Sequence, residues 1–160
     1  MSQIRYHFGS KEGMVLALFD YMNANLIDRQ ADAFERSDLS VAEKWALSCD
    51  YLEADINLGY VRVLQELIAV GWTNPAVGDV VREALSQWHQ LIEKRAREIE
   101  RDLGTLGPFS PEQIASLVSA MFIGAEALIL LQFEDSAHPI RSALRRVGEA
   151  IERLEQAKKD

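Results

Sequence analysis

The chain has 160 residues, 48% of them hydrophobic and 26% charged, a balance that suits one packed globular domain and excludes disordered and fibrous classes. Its formal charge of −8 repels phosphate, so strong nucleic-acid binding by this chain alone is not expected. Cys49 is the single cysteine, which excludes an internal disulfide and fits a reducing, cytoplasmic setting.

Read in chain order, the pattern predicts six helices and no strand, an all-α fold. The first runs from about Ser10 to Arg36, with Met14, Leu18, Tyr21, Met22 and Phe34 near helical spacing. The second opens on Ser40-Val41-Ala42-Glu43, a capping-box pattern, and carries Trp45, Cys49, Leu52 and Ile56 one turn apart until Gly59. A short third helix spans about Tyr60 to Val70. The fourth runs from about Pro75 to Leu103, with Val77, Val81, Leu85, Trp88, Ile92, Ala96 and Ile99 on one side. The other side carries the pairs Glu93 with Arg97 and Lys94 with Glu98. Gly104 to Pro108 is the clearest loop.

The fifth helix begins at Ser110-Pro111-Glu112-Gln113, which joins an N-cap, a first-turn proline and a box glutamine, and extends to about Phe133. Between Glu112 and Glu134 its only charge is Glu126, and its length approaches a membrane span. Polar residues (Gln113, Ser116, Ser119, Gln132) are spread along it and no basic flank anchors either end, so a helix buried on two sides is the expected reading, with no membrane partner. The sixth runs from about Pro139 to Lys158. Its Ile140, Leu144, Val147, Ile151 and Leu154 alternate by four and three, the spacing of a helix seam. No secretory leader is expected, because His7, Lys11 and Glu12 interrupt the N-terminal stretch before an apolar run develops.

Residues 4 to 14 read Ile-Arg-Tyr-His-Phe-Gly-Ser-Lys-Glu-Gly-Met. This segment resembles the junction in TetR-family transcriptional regulators between the recognition helix of the helix-turn-helix and the long helix that follows. Tyr6, His7, Phe8, Ser10, Lys11 and Glu12 stand in the family's places; Arg5 replaces the commoner Tyr and Met14 the commoner Leu. The resemblance implies that residues 1–9 are the remnant of a recognition helix and 10–160 a ligand-binding and dimerisation domain. It also implies that Tyr6, His7 and Lys11 contact the DNA backbone. Lys11 sits in a helix's first turn against the dipole preference, an arrangement that a phosphate at that N-terminus would favour. Two further helices would precede this point in the family, and a helix-turn-helix needs them to brace its reading helix. Operator DNA is therefore a partner only of a form with the complete headpiece.

The resemblance further implies a homodimeric repressor controlled by a small apolar or amphipathic effector inside the body. Trp45, Cys49, Leu52, Leu67, Trp88, Phe122 and Phe133 are the apolar pocket candidates; each also fits a plain core position at helical spacing. Glu126, a carboxylate in an apolar run, must be paired, protonated or exposed, and either a pocket or a subunit interface could hold it. Ser116, Ala120, Gly124 and Ala127 form a small-residue ridge suited to close helix contact. With Ile123, Leu144, Val147, Ile151 and Leu154, the ridge residues Gly124 and Ala127 make up the expected dimer interface.

Nothing points to a cofactor, a metal site or catalysis. His89 and Glu93 share a face, but two ligands do not hold a metal, and no nucleophile stands beside a base. Two alternatives stay open: a helical interaction module without a ligand, and a helical-bundle enzyme. The enzyme would need a cluster of ionisable groups in the core.

Overall fold

The computed structural model describes residues 11–134 and 136–157. Among them it is all-α, with six helices: α1 (Lys11–Glu35), α2 (Val41–Leu58), α3 (Tyr60–Gly71), α4 (Pro75–Leu103), α5 (Pro111–Leu130) and α6 (Ile140–Ala157). The expected Tyr6 and His7 lie outside the described residues.

Local chemistry sets the boundaries. At α2 the Ser40 hydroxyl accepts from the Glu43 N–H at 3.1 Å, and Glu43 accepts from the Ser40 N–H at 2.7 Å. At α5 Ser110 and Gln113 form the same reciprocal pair, so both predicted capping boxes are present and satisfy free amides at each helix start. Asn74 caps α4 through the Ala76 and Val77 N–H groups, with Pro75 in the first turn. Gly59 at φ 85° turns the chain from α2 into α3 in the left-handed region that glycine adopts without strain. Helix α5 stops at Leu130, short of the expected Phe133, where Gln132 takes a φ of 59° and its N–H bonds back to the Ile129 carbonyl.

Helix α4 is the spine, packed against α1, α3 and α5, while α6 leans chiefly on α2. The α3–α4 corner is tight. A β-carbon at Gly78 would lie 2.8 Å from the Gly71 carbonyl oxygen, so only glycine lets the two backbones meet. Phe19, Val61 and Val77 are the largest fully buried side chains, and Phe19 stacks on Tyr60 at 5.7 Å between centroids.

Four polar ties hold α6 to α2. The Trp45 indole N–H donates to the Leu144 carbonyl at 2.7 Å. Arg141 pairs with Glu53 and Arg145 with Asp50, each at 2.7 Å. The Glu155 carboxylate accepts from the Val41 and Ala42 N–H groups, a second cap on α2 supplied from far along the chain.

Among the described residues α5 alone is long and apolar enough to cross a membrane by length and composition. It buries Ala115, Phe122, Ala125, Glu126 and Ile129 in the body and touches α3, α4 and α6. Only 28% of its apolar window is buried, and its other side, with Leu117, Ala120 and Gly124, is exposed.

Candidate ligand-binding site

Three aromatic side chains from three helices meet in the interior. Phe122 of α5 presents to Trp45 of α2 at 5.5 Å and 66°, and to Trp88 of α4 at 6.0 Å and 72°. Both are edge-to-face geometries favoured by ring quadrupoles. Two chambers adjoin this cluster.

The first chamber is apolar and encloses about 130 Å³. Trp45, Trp88 and Phe122 form its inner wall, with Ile92 and Ala96 of α4 and Val118 of α5 around them, and Ile151 of α6 also lines it. Among the described residues, the ionisable side chains lining it are Lys44 and Arg95. A cavity of this size and polarity is comparable to apolar voids that stay dry and accept a benzene-sized guest, roughly 150 Å³.

The second chamber, about 50 Å³, also adjoins Trp88 and Phe122; most of its wall is apolar, but it gathers the interior's polar side chains and is the more polar of the two. Asn23 and Gln30 of α1, Ser48 and Asp55 of α2, Tyr60 of α3 and Glu126 of α5 face it. Their hydrogen bonds form short chains. Tyr60 donates to Asn23 at 3.1 Å, and Asn23 donates to Gln87 at 3.1 Å. Ser48 lies 3.2 Å from the Gln30 amide oxygen. Gln65 donates to the Glu126 carboxylate at 3.0 Å and to the Ile123 carbonyl at 3.1 Å.

Glu126 thus faces the interior of its own chain. It is 8% exposed, and burial pushes its pKa up to about 7; the Gln65 hydrogen bond pulls against this and the Asp55 charge adds to it. Asp55 is also raised, because burial outweighs its 2.6 Å pair with Arg29. Burial likewise drives the Tyr60 phenol well above its ordinary value. The polar chamber therefore disfavours added negative charge and favours a proton or a cationic group.

The expected pocket residues divide. Trp45, Trp88 and Phe122 come together as the aromatic wall, and Leu52 and Glu126 line the polar chamber. Cys49 and Leu67 are buried in the core without lining either space. Phe133 lies past the end of α5, 43% exposed, with its ring edge-on to His138 at 4.4 Å. Among the expected interface residues, Ile123 lines the polar chamber, Ile151 the apolar one, and Leu144 is buried in the core. Gly124 has open space where a β-carbon would sit, Ala127 and Val147 are half-buried, and Leu154 is 64% exposed. Lys11 is exposed at the start of α1.

Apart from Glu126, sequence reasoning missed the polar lining. Its signal was a seven-residue spacing: Asn23 with Gln30, and Ser48 with Asp55. Two turns apart, such pairs share one helix face. Lys44, one turn before Ser48, belongs to the same series; it is only 5% exposed.

No protein-family model, curated protein or solved structure matches this chain. The chemistry of the two chambers therefore carries the functional argument. Among the described residues no three His, Cys, Asp or Glu side chains group as metal ligands. Cys49 is a buried thiol whose pKa burial raises, which leaves it a poor nucleophile.

Proposed function

We propose that this chain is the effector-binding and dimerising body of a TetR-type, helix-turn-helix transcriptional repressor, cytoplasmic and homodimeric, which meets operator DNA through a complete headpiece. The observation that carries this reading is the apolar chamber behind Trp45, Trp88 and Phe122, bounded by helices that are far apart in sequence. Concave, apolar and aromatic-lined spaces with a few convergent polar groups are the usual form of small-molecule sites.

The resemblance of residues 4–14 to the family junction supplies the DNA-linked half of the proposal. Signal transfer would run through α1, which follows that junction. Phe34 near its end lines the apolar chamber, and Asn23 and Gln30 line the polar one. An effector that fits the chambers better in one position of α1 shifts the population toward that position. Its leverage is limited to its differential affinity for the two states.

Dimerisation is proposed through α5 and α6. Leu117, Ala120 and Gly124 lie along one exposed side of α5 with Leu131 just past its end, and Ala143, Ala150 and Leu154 along an exposed side of α6. Exposed apolar patches of this kind are normally covered by a partner, and a second copy presents the same surface about a two-fold axis.

The test is a thermal-shift screen of small apolar and amphipathic compounds on the chain and on Trp88→Ala. A ligand that binds the folded state raises its melting temperature, and the reading expects shifts that Trp88→Ala abolishes. A second reading, an interaction module without any ligand, is favoured by the exposure of Leu117, Leu131 and Leu154. It would win if no compound shifts the melting temperature while the chain still dimerises.

A further inference from the structure

The apolar chamber is not closed on all sides. Phe34, Val41, Lys44 and Arg95 line both it and a wide outer cleft of about 640 Å³ between the α1–α2 turn and α4. These four residues form the mouth through which the interior meets solvent. Two of them are cations, and among the described residues no carboxylate lines the chamber behind them.

Carboxylates do line the outer cleft, but three of the four are engaged. Glu98 accepts from Arg95 Nη1 at 2.7 Å, Glu155 caps the first amides of α2, and Glu35 stands 3.7 Å from Lys94. Asp102 is the fourth and is exposed. Within the mouth, the Lys44 ammonium donates to the Phe34 carbonyl, a neutral acceptor, at 2.7 Å, while the Glu98 and Asp38 charges act on it from farther off. Among the described residues Arg95 Nε is buried with no hydrogen-bond partner, as are Arg29 Nε and Ser119 Oγ. A guanidinium nitrogen without a partner, in a protein whose buried polar atoms are otherwise nearly all satisfied, needs an explanation. The two cations also oppose each other: after burial, the Arg95 charge is the largest influence lowering the Lys44 pKa.

We propose that the apolar chamber takes an anionic amphiphile, a carboxylate carrying a single ring or a short alkyl chain, with the apolar part against Trp45, Trp88 and Phe122 and the carboxylate held at the mouth by Lys44 and Arg95. This rests on the reading of the chamber as a ligand site and adds the chemical class of the ligand. The carboxylate supplies the acceptor that Arg95 Nε lacks and relieves the repulsion between the two cations. The chamber volume of about 130 Å³ limits the apolar part to roughly a benzene-sized group.

The experiment compares hexanoate, hexanol and hexylammonium, which share one chain and differ in head group, by calorimetric titration at neutral pH. The proteins are the wild-type chain, Arg95→Met, Lys44→Met and Trp88→Ala, each first checked for its helical melting transition. The wild type should bind hexanoate about tenfold or more tighter than hexanol, the gain of charge-assisted hydrogen bonds at a half-buried site, and hexylammonium weakest. Arg95→Met should reduce the hexanoate-to-hexanol ratio to near one while leaving hexanol affinity in place, and Lys44→Met provides the same test if Arg95→Met does not fold. Trp88→Ala should weaken hexanoate and hexanol alike. If hexanol or hexylammonium binds as tightly as hexanoate, or if both mouth variants keep the wild-type ratio, the anionic assignment is overturned and the chamber remains a ligand site of other chemistry. If none of the three binds the wild type, the ligand-site reading fails with it.

Discussion

Replacing Glu126 by glutamine isolates the cost of one buried carboxyl group. The glutamine has nearly the same shape, and its side-chain carbonyl can still accept from Gln65, which now donates to Glu126 at 3.0 Å. What disappears is the ionisation. In the folded chain the group titrates near about 7, against an ordinary value of 4.5. Below 4.5 both folded and unfolded states are protonated and the carboxyl has no effect on stability. Between 4.5 and 7 the folded state binds more protons than the unfolded one, so stability falls as pH rises; above 7 the loss is complete. Integrating the linkage between pH 5 and pH 8 gives a penalty that grows by about 2.5 kcal/mol.

Glu126→Gln should therefore be more stable than the wild type at pH 8, by about 2.5 kcal/mol beyond any difference at pH 5. In urea unfolding followed by circular dichroism, that corresponds to a midpoint gap on the order of 1 M widening between the two pH values. Asp55 is present in both proteins, so its own pH dependence largely cancels in the comparison. A constant gap between the two proteins from pH 5 to pH 8 would refute the placement of this carboxyl group in a desolvated chamber.

Gly124→Arg tests the dimer. No atom lies within 4 Å of the position its β-carbon would take, so the monomer should keep its stability within about 1 kcal/mol. Sedimentation equilibrium should nevertheless change from twice the 18.0 kDa chain mass to the monomer mass, and an unchanged dimer would place the interface elsewhere. Trp88→Ala should cost about 3 kcal/mol through lost contacts with Phe122 and an enlarged chamber, read as a lower urea midpoint; a neutral result would mean that the aromatic wall packs loosely. Glu155→Gln should lower the thermal midpoint by a few degrees, since the charged cap on the α2 amides is worth about 1 kcal/mol, and no change at all would show that α6 is not seated on α2 in solution.

Much of the fold could be read from local patterns. Ser40 with Glu43, Ser110 with Gln113, and the glycine between α2 and α3 are signals whose chemistry acts within one turn, and each falls where the sequence places it. Burial of Trp45, Trp88 and Phe122 toward one another follows from their positions on apolar helix faces. The partner of each face was less legible. Leu144 and Ile151 have the spacing of a seam, and α6 does use them as one, but against α2 and the apolar chamber within its own chain. Spacing identifies an apolar face without saying which helix covers it. Lys44 and Arg95 were hidden for a different reason: both sit in ordinary amphipathic helices, where a cation normally faces water. Only the convergence of α2 and α4 turns them toward a common mouth.

The central claim is that a small amphiphile occupies the space behind Trp45, Trp88 and Phe122. Its most direct test is a crystal structure of the chain grown with 6-bromohexanoate, located by the anomalous scattering of bromine. A bromine peak is expected inside the apolar chamber, among the three aromatic rings, with the carboxylate directed toward Lys44 and Arg95. A peak confined to the exposed α5–α6 surface, with an unoccupied chamber, would contradict it.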